Sequence, residues 1–348
     1  MSSNTQMDPR VSAIVSVYNR FELTKRAVDS ILAQTLHVSE VIVVDDGSFD
    51  GTSEVLQRYI DENPVWRERV CYRHQKNQGQ ATARNYGIAE AKGDWVAFID
   101  NDDIWLPQKL EWQFRALDQF KSECGACFTD AWFMNNPRMK MTAFELAGKR
   151  HNERIGMIKD VQKYLLDKRS FGRAPAPWVQ TLVVKTDLAR RIGGFDSALR
   201  YCEEYDFTFR LASQTSFCFV SMPMVLIDRT PPEERHIGES RKWDTVEFRL
   251  TMTQQRLEKR LRMTETGPRE LRQATHKELS AIHSEWTTWL LQQERYSEAR
   301  KAMNKAIRHR LTFKAAMKWL LTQNAPRLAS KIFAAREKYY SNRGLDRA

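Results

Sequence analysis

The sequence predicts an α/β fold with a mostly parallel, Rossmann-like sheet, followed by an α-helical C-terminal region. Up to about Phe120, short apolar runs alternate with segments of helical periodicity, which is the order of a βαβ series. The apolar runs are rich in β-branched residues, as in parallel strands that are buried on both faces. After about Thr245 the pattern is helical to the end. We therefore expect two domains, with the sheet in 1–240 and helices in 241–348.

The elements of the first domain follow one another at short intervals. Strands are predicted near 11–17, 40–44, 70–74, 95–99 and 125–132, with helices between the first four. Residues 133–177 are predicted to be irregular, because 135–137 and 173–177 contain loop-forming residues. Beyond them we predict a strand over Trp178–Lys185, a short helix from Thr186, a turn at Gly193–Asp196 and a helix over Glu203–Ala212.

The helical region contains apolar residues at helical spacing, which predict packed helices. One set indicates a packed helix pair: Trp286, Trp289, Leu290, Tyr296, Ala299, Met303 and Ala306. Another recurs at the same spacing: Phe313, Ala316, Met317 and Leu320. Pro326 then starts the last predicted helix.

Composition indicates a globular cytoplasmic protein. The chain has 348 residues, of which 42% are hydrophobic, and these suffice for two folded cores. Its start is polar, its five cysteines are irregularly spaced, and its apolar runs are too short to cross a membrane. Cys124 and Cys127 have neither a second cysteine pair nor a nearby histidine, so they are interpreted as inert thiols. Any membrane contact is expected to be peripheral, on the inner face of the cytoplasmic membrane.

The net charge of +11 belongs to the C-terminal end of the chain. Residues 300–348 contain 13 lysines and arginines against two acids, Glu337 and Asp346, whereas residues 1–299 contain 42 basic and 42 acidic residues. Basic helices that also carry aromatic residues suit an anionic membrane surface. A helical cap or a dimerisation element with a solvated basic face is the alternative. Nucleic-acid binding is not expected, because no recognised module is present.

Three carboxylates within four residues follow the predicted strand at 95–99. Asp100, Asp102 and Asp103, with Asn101 between them, repel one another unless a cation or a ligand offsets their charge. Hard oxygen ligands suit Mg²⁺ or Mn²⁺ carrying a phosphate. The alternative interpretation is an Asp-rich turn that ends a strand.

Polar side chains also follow two other predicted strands. Ser16, Tyr18 and Arg20 lie at the end of the first strand, and Asp45 and Asp46 follow the second. In open α/β sheets the carboxyl ends of neighbouring strands meet at one crevice, where ligands bind. These clusters are therefore expected to form a nucleotide site together with Asp100–Asp103.

Four motifs in register resemble the family 2 glycosyltransferases with the GT-A fold. They are SAIVSVYNR, EVIVVDDGSFDGT, NQGQATARNYGIAEAKGDWVAFIDNDD, and GGFD followed by a paired acid. The resemblance covers roughly residues 10 to 230. It implies an inverting transferase that uses a nucleotide-diphosphate sugar, of the type that builds bacterial polysaccharide or lipopolysaccharide.

The resemblance assigns a donor site to the first three motifs. It places Ser16, Tyr18 and Arg20 around the base and phosphates, and Asp46 where it accepts a hydrogen bond from a uracil or thymine imide, which favours a UDP- or dTDP-sugar. The alternative for Asp45 and Asp46 is capping of the helix that starts near Gly51. Arg84 would brace the metal cluster or the diphosphate, or else be a surface helix residue. Asp100 and Asn101 complete the donor set.

The metal assignments come from the same resemblance. Asp102 is expected to bind Mn²⁺ or Mg²⁺ directly, and Asp103 to support it. His236 lies where some relatives carry a histidine that contacts metal or phosphate, although a solvated loop histidine is the equal alternative.

The resemblance also identifies Glu203 and Glu204 as the catalytic pair. The family usually has Glu-Asp there, and its second member is the general base, so Glu204 aligns with the base but is longer by one methylene. Misplacement of a catalytic group by about 1 Å can cost about 10²-fold in rate. The alternative is an acidic first helical turn, which the helix dipole favours.

Two classes of function follow. The first is a metal-dependent glycosyltransferase with a glycan or lipid-linked acceptor. The second is a nucleotide-sugar-binding or assembly protein impaired by its Glu-Glu pair. A sugar nucleotidyltransferase fits less well, because a Gly-rich, basic triphosphate loop is missing. The sequence also contains no dinucleotide or Walker motif. The sequence is compatible with a homo-oligomer.

Overall fold

A computed structural model describes residues 9–120, 123–135, 140–166, 177–230 and 245–341. The chain divides into two compact units, Met1–Glu239 and Ser240–Ala348. The strands are β1 Val11–Val17, β2 Glu40–Asp45, β3 Val70–His74, β4 Trp95–Asp100, β5 Ile104–Trp105, β6 Cys124–Met134, β7 Ile155–Ile158, β8 Leu182–Lys185 and β9 Ser216–Asp228.

The helices of the first unit are short and lie between these strands. They are α1 Phe21–Leu32, α2 Thr52–Glu62, α3 Pro64–Arg69, α4 Gln80–Glu90, α5 Lys109–Phe120, α6 Ala143–Leu146, α7 Val161–Leu166, α8 Thr186–Arg191 and α9 Glu203–Leu211.

The sheet is mixed, and its strand order is β3-β2-β1-β4-β8-β6-β9-β5, with β7 paired to β9. Strands β3, β2, β1 and β4 are parallel, as the βαβ pattern predicts. Register places Ser16 opposite Asp100 and Val17 opposite Asp45. The carboxyl ends of β1, β2 and β4 therefore meet at one edge, and their polar residues lie side by side.

Both faces of the sheet are buried, which explains its apolar strands. In β1, Ala13 and Val15 pack with Val28 of α1 on one face. Ile14 points to the other face, where it packs with Ala83 of α4 and with Phe207 of α9. Alternate residues of β1 thus pack into different cores, and its two polar residues, Ser12 and Ser16, lie near the ends of the strand.

Three expectations for residues 133–230 need correction. The stretch 133–177 is not irregular throughout, because α6, β7 and α7 form within it. Trp178–Lys185 is a strand only from Leu182, and Val179–Thr181 form a 3₁₀ turn. The thirteen-residue strand β9 was missed. It carries Pro223 in mid-strand, a residue that ordinarily argues against a strand, and the pairing of β6 with β9 shifts register there.

The second unit consists of five helices among the described residues. They are α10 Val246–Met263, α11 Arg269–Gln292, α12 Tyr296–His309, α13 Phe313–Asn324 and α14 Pro326–Ser341. Leu290 and Leu291 of α11 pack against Ala299 of α12 and Ala329 of α14. Within the described ranges, no helix combines the length and the apolar character that a membrane span requires.

Candidate active site

The loop after β1 is tied to the loop after β2. Asn19 and Arg20 adopt left-handed backbone conformations, with φ of 60° and 70°. The Asn19 amide donates to Ser48 Oγ at 2.7 Å, and the Phe49 amide donates to Asn19 Oδ1 at 3.0 Å. The Arg20 amide donates to Asp50 Oδ2 at 3.0 Å. Such strained residues persist where surrounding contacts hold them, and here those contacts build one wall of the crevice.

Asp46 organises the segment that leads into α4. Its carboxylate accepts hydrogen bonds from Gln75 Nε2 at 2.6 Å, the Gln78 amide at 2.9 Å and the Gly79 amide at 2.7 Å. The side chain does not cap α2, because the Thr52 amide of that helix donates to Asp50 instead. Asp46 thus holds the N-terminus of α4 at the end of the sheet.

Asp100, Asp102 and Asp103 form a compact acidic cluster. One carboxylate oxygen from each residue lies within 4.8 Å of the others. The Asp103 amide donates to the Asp100 carbonyl at 3.1 Å, which closes the turn. Burial and the neighbouring Asp100 raise the pKa of Asp102 to about 6, although Arg20 Nη1, 3.4 Å from Asp102 Oδ2, opposes this. Burial raises the pKa of Asp103 well above its ordinary value.

The cluster fits a divalent cation. Asp103 Oδ1 accepts the Asp228 amide at 2.8 Å, whereas Asp103 Oδ2 is buried without a hydrogen-bond partner. An unpaired buried carboxylate oxygen among other carboxylates lacks a positive partner. Mn²⁺ or Mg²⁺ supplies that charge and takes oxygen ligands. Asp102 and Asp103 are the residues that would hold it.

Arg84 joins three carboxylates from two elements. Its guanidinium donates to Asp100 Oδ1 at 2.7 Å, to Glu203 Oε1 at 2.9 Å and to Glu204 Oε1 at 3.2 Å. The Arg84 side chain is 1% exposed and stands over the Phe195 ring at 5.2 Å. Burial lowers the pKa of Arg84, but the three carboxylates outweigh it and raise the pKa above its ordinary value. Arg84 therefore links the end of β4 to the start of α9, and is not a surface residue.

Glu203 and Glu204 open α9, after Cys202 in a left-handed conformation. The Glu204 side chain is 23% exposed and that of Glu203 is 10% exposed, so Glu204 is the more accessible of the two. Burial raises the pKa of Glu204 to about 7, against the opposing effect of Arg84. A carboxylate that titrates near neutral pH is suited to accept a proton.

The structure adds two glutamines that sequence reasoning missed. Gln80 Nε2 donates to Asp100 Oδ1 at 2.7 Å and lies 3.3 Å from Ser16 Oγ. Gln180 Nε2 donates to Asp100 Oδ2 at 2.6 Å from the 3₁₀ turn before β8. Asp100 is thus held at both oxygens. Gln80 lies inside one of the quoted motifs, but nothing local marks Gln180, because only folding brings it to Asp100.

Asp228 and Arg26 were also missed. Asp228 ends β9 beside Asp103, and its Oδ2 accepts from Asn135 Nδ2 at 2.8 Å. Arg26 Nη2 donates to the Asp102 carbonyl at 2.7 Å. These residues bring β9 and α1 to the acidic cluster.

The remaining expected residues divide into two groups. Asn101 Nδ2 lies 3.3 Å from the Asn19 carbonyl, and the Tyr18 ring meets the Phe49 ring at 5.8 Å, so both line the loops at the strand ends. His236 lies outside the residues that the structure describes.

The Gly193–Asp196 turn positions the Phe195 ring, which packs against the Arg84 guanidinium. Asn85 bonds the Phe195 backbone twice, through Oδ1 to its amide at 2.7 Å and through Nδ2 to its carbonyl at 2.8 Å. Gly194 has a φ of +64°, and a Cβ there would meet Asn85 Oδ1 at 2.2 Å. Only glycine fits this close approach.

We expect Gly194→Ala to lower the free energy of unfolding by about 2–5 kcal/mol, because displacing Asn85 costs about 1–3 kcal/mol and the left-handed backbone adds about 1–2 kcal/mol of strain. Chemical denaturation measures this change. Gly193→Ala is the matched control: Gly193 has a φ of +79° and nothing within 4 Å of its Cβ position, so only backbone strain of about 1–2 kcal/mol applies. Equal losses in the two variants would contradict the Asn85 clash.

Comparison with known proteins finds similar sequences and a shared fold. Residues 12–171 match the family described as Glycosyl transferase family 2. An uncharacterized glycosyltransferase of Rickettsia typhi is 30% identical over 223 residues, 63% of this chain and 63% of that protein. The chain thus spans less than two thirds of this relative's length.

Two solved structures share the fold at low sequence identity. The mannosyltransferase PcManGT from Pyrobaculum calidifontis, in complex with GDP-Man and Mn²⁺, gives a TM-score of 0.53 at 20% identity, over 94% of this chain and 84% of that one. S. aureus TarS in complex with UDP-GlcNAc gives 0.52 at 16%, over 86% of this chain and 89% of that one. The family match over residues 12–171 covers 160 of the 348 residues; over that stretch the sequence is similar to the family 2 glycosyltransferases, and the chain shares the GT-A fold of these structures.

Proposed function

We propose that this protein is a metal-assisted, inverting glycosyltransferase. It would move a sugar from a nucleotide-diphosphate donor, a UDP- or dTDP-sugar, to a hydroxyl of a glycan or lipid-linked acceptor in cell-surface polysaccharide synthesis. The observation that carries the proposal is Arg84, which joins donor-side Asp100 to the Glu203-Glu204 pair. The buried Arg84 guanidinium thereby sets the distance between the donor site and the candidate base.

The donor would lie across the ends of β1, β2 and β4. Arg20 Nη1 lies 3.4 Å from Asp102 Oδ2, so its positive charge would offset part of the acidic cluster and would attract the diphosphate of the donor. Asp100 is held by Gln80, Gln180 and Arg84, so it presents a fixed carboxylate to the donor. Tyr18 and Asp46 stand at the base end of the site, where Asp46 Oδ2 has one donor in this structure.

The metal supplies charge neutralisation for the departing nucleoside diphosphate when it is bound. Asp102 and Asp103 would hold it, while Arg26 anchors the Asp102 backbone and Asp228 anchors Asp103. His236 is proposed as a further phosphate or metal contact.

Glu204 is the proposed general base. It removes the proton of an acceptor hydroxyl, the hydroxyl oxygen bonds to the anomeric carbon, and the bond from that carbon to the diphosphate breaks with its electron pair on the leaving group. The oxygen attacks from the face opposite the diphosphate, so one displacement inverts the anomeric centre. Glu203 keeps Arg84 in place from the buried side.

The test measures nucleoside diphosphate release from a panel of UDP-, dTDP- and GDP-sugars with Mn²⁺ and candidate acceptors. Release that requires an acceptor establishes transfer and names the donor. A sugar nucleotide that binds without release for any acceptor would favour the binding-protein alternative.

We expect Glu204→Gln to lower kcat by about 10²–10⁴-fold, the usual contribution of a general base. Glu204→Asp keeps the carboxylate and should retain more activity than Glu204→Gln. Since the base acts when deprotonated, kcat/KM should rise with pH and level off near pH 7 or below, because a bound cation lowers the pKa of Glu204 from about 7. Glu68→Gln, an exposed glutamate of α3, is the control. Unchanged kcat in Glu204→Gln would remove Glu204 as the base.

A further inference from the structure

The second unit carries a row of exposed apolar side chains, here called the α13 stripe: Leu311, Phe313, Met317 and Leu320. Their exposed fractions are 71%, 84%, 45% and 45%. Phe313, Met317 and Leu320 are spaced at i, i+4 and i+7, so they lie on one face of α13. The opposite face is packed, since Thr322 is buried and Lys318 Nζ donates to the Ser284 carbonyl at 2.6 Å. The stripe is therefore not the packing face of α13.

The next helix also presents apolar residues to solvent. Leu328 and Ile332 of α14 are 52% and 42% exposed and lie one turn apart. Arg327 and Lys331 are exposed beside them on the same helix. Single exposed apolar residues are ordinary, but a contiguous set of them marks an interaction surface.

The charge around these residues has one sign. Residues 300–335 contain nine lysines and arginines and no aspartate or glutamate. Arg310 precedes the α13 stripe in sequence and Lys314 lies within its span; both are exposed, as are Arg327 and Lys331 on α14. Within the described ranges these four cations have no carboxylate partner. The surface thus pairs apolar side chains with uncompensated positive charge.

This combination selects one class of partner. A nucleic acid would use the cations and would stack a base on Phe313, but it would leave the aliphatic Leu311, Leu328 and Ile332 in water. A second copy of this basic unit would bring like charges together. An anionic lipid surface uses both features, because headgroups attract the cations and apolar side chains enter the boundary of the acyl chains.

We propose that the α13 stripe and its flanking cations bind an anionic membrane surface. Phe313 and Leu311, the most exposed of the set, enter the lipid, while Arg310, Lys314, Arg327 and Lys331 contact headgroups. Stable attachment requires two such signals together, and this surface carries both. The inference deepens the proposed function, since a lipid-linked acceptor lies at such a surface.

The test is co-sedimentation of the full chain with vesicles of phosphatidylcholine alone or mixed with phosphatidylglycerol, without donor or acceptor. We expect binding to the mixed vesicles only, weakened by added salt. Leu311→Ser with Phe313→Ser should lower the partition coefficient by about tenfold or more, and so should Lys314→Glu with Lys331→Glu. Met263→Ser, at 40% exposed on α10 of the same unit, is the matched control and should bind as the wild type does.

Circular dichroism establishes that each variant is folded, and donor turnover with a water-soluble acceptor should be unchanged. Vesicle binding and turnover can therefore fail independently. The membrane proposal is overturned if the wild type does not bind mixed vesicles or if the Leu311-Phe313 variant binds them equally well. It is also overturned if that variant dissociates a dimer of the wild type, or if an oligonucleotide binds the wild type as tightly as the vesicles do.

Discussion

Asp102→Asn is expected to lower kcat for sugar transfer by about 10³-fold, since a bound metal ion contributes several kcal/mol to stabilising the leaving group. Asp102 is the accessible member of the acidic cluster, with a side chain 27% exposed, whereas Asp103 is buried. Steady-state turnover at saturating Mn²⁺ measures the loss. Calorimetric titration of Mn²⁺ into the protein without donor should show weakened binding in the same variant.

In the protein without bound metal, the same substitution is expected to increase stability. The pKa of Asp102 is raised to about 6, so the native state holds a proton that the unfolded chain releases at lower pH. The stability of the wild type therefore falls as pH rises through that window, and Asn, which does not ionise, escapes the loss. Without metal, Asp102→Asn should melt higher than the wild type above pH 6 and equally near pH 4.

Asp187→Asn is the control, because Asp187 is 65% exposed on α8 and, within the described residues, pairs with Arg191 of the same helix. It should change neither turnover nor Mn²⁺ affinity. If Asp102→Asn kept full turnover and Mn²⁺ affinity, the assignment of Asp102 as the metal ligand would be wrong.

Arg84→Met is expected to lower the free energy of unfolding by about 3–5 kcal/mol, the usual effect of removing one partner from a buried ion pair. Methionine fills similar space but leaves Asp100, Glu203 and Glu204 facing one another without a cation. Turnover should fall as well, because the base and the donor site lose their shared anchor. Denaturation in urea measures the stability, and Arg84→Lys should rescue it only in part, since an ammonium lacks the planar fork.

Two further variants separate charge compensation from simple packing. Glu203→Gln added to Arg84→Met removes one of the unpaired charges. The double variant should therefore lose less free energy of unfolding than the two single variants lose in sum. Arg191→Met, at a side chain 60% exposed, should change stability by no more than about 0.5 kcal/mol. An Arg84→Met protein as stable as the wild type would show that the three-carboxylate bridge does not hold the site together.

The fold class was predictable because its signals are local. Three of the four parallel strands, β1, β2 and β4, are apolar runs that break into polar residues at one end, and each is followed by a helical pattern. β9 escaped prediction since its residues pair with distant strands around Pro223, and such pairing leaves no periodic trace in the sequence.

The candidate site was predictable where one motif holds adjacent residues. Asp100, Asp102 and Asp103 lie within four positions, so their proximity needs no folding. Asp46 was predicted to bind the nucleobase of the donor, which stays a prediction; in the structure its carboxylate accepts three hydrogen bonds from the segment 75–79. Gln180 was unpredictable, because it is 80 positions from Asp100 and adjoins it only across the sheet.

The sequence by itself determined the strands with polar ends, the acidic cluster and the basic C-terminal helices, because each depends on residue types at short spacing. Only the tertiary structure decided that one buried guanidinium serves Asp100, Glu203 and Glu204, and that Phe313 faces solvent. The physical reason is that burial and ion pairing depend on which surfaces pack together. Helical spacing defines which residues share a face, but the elements that pack against the helix decide whether that face is buried.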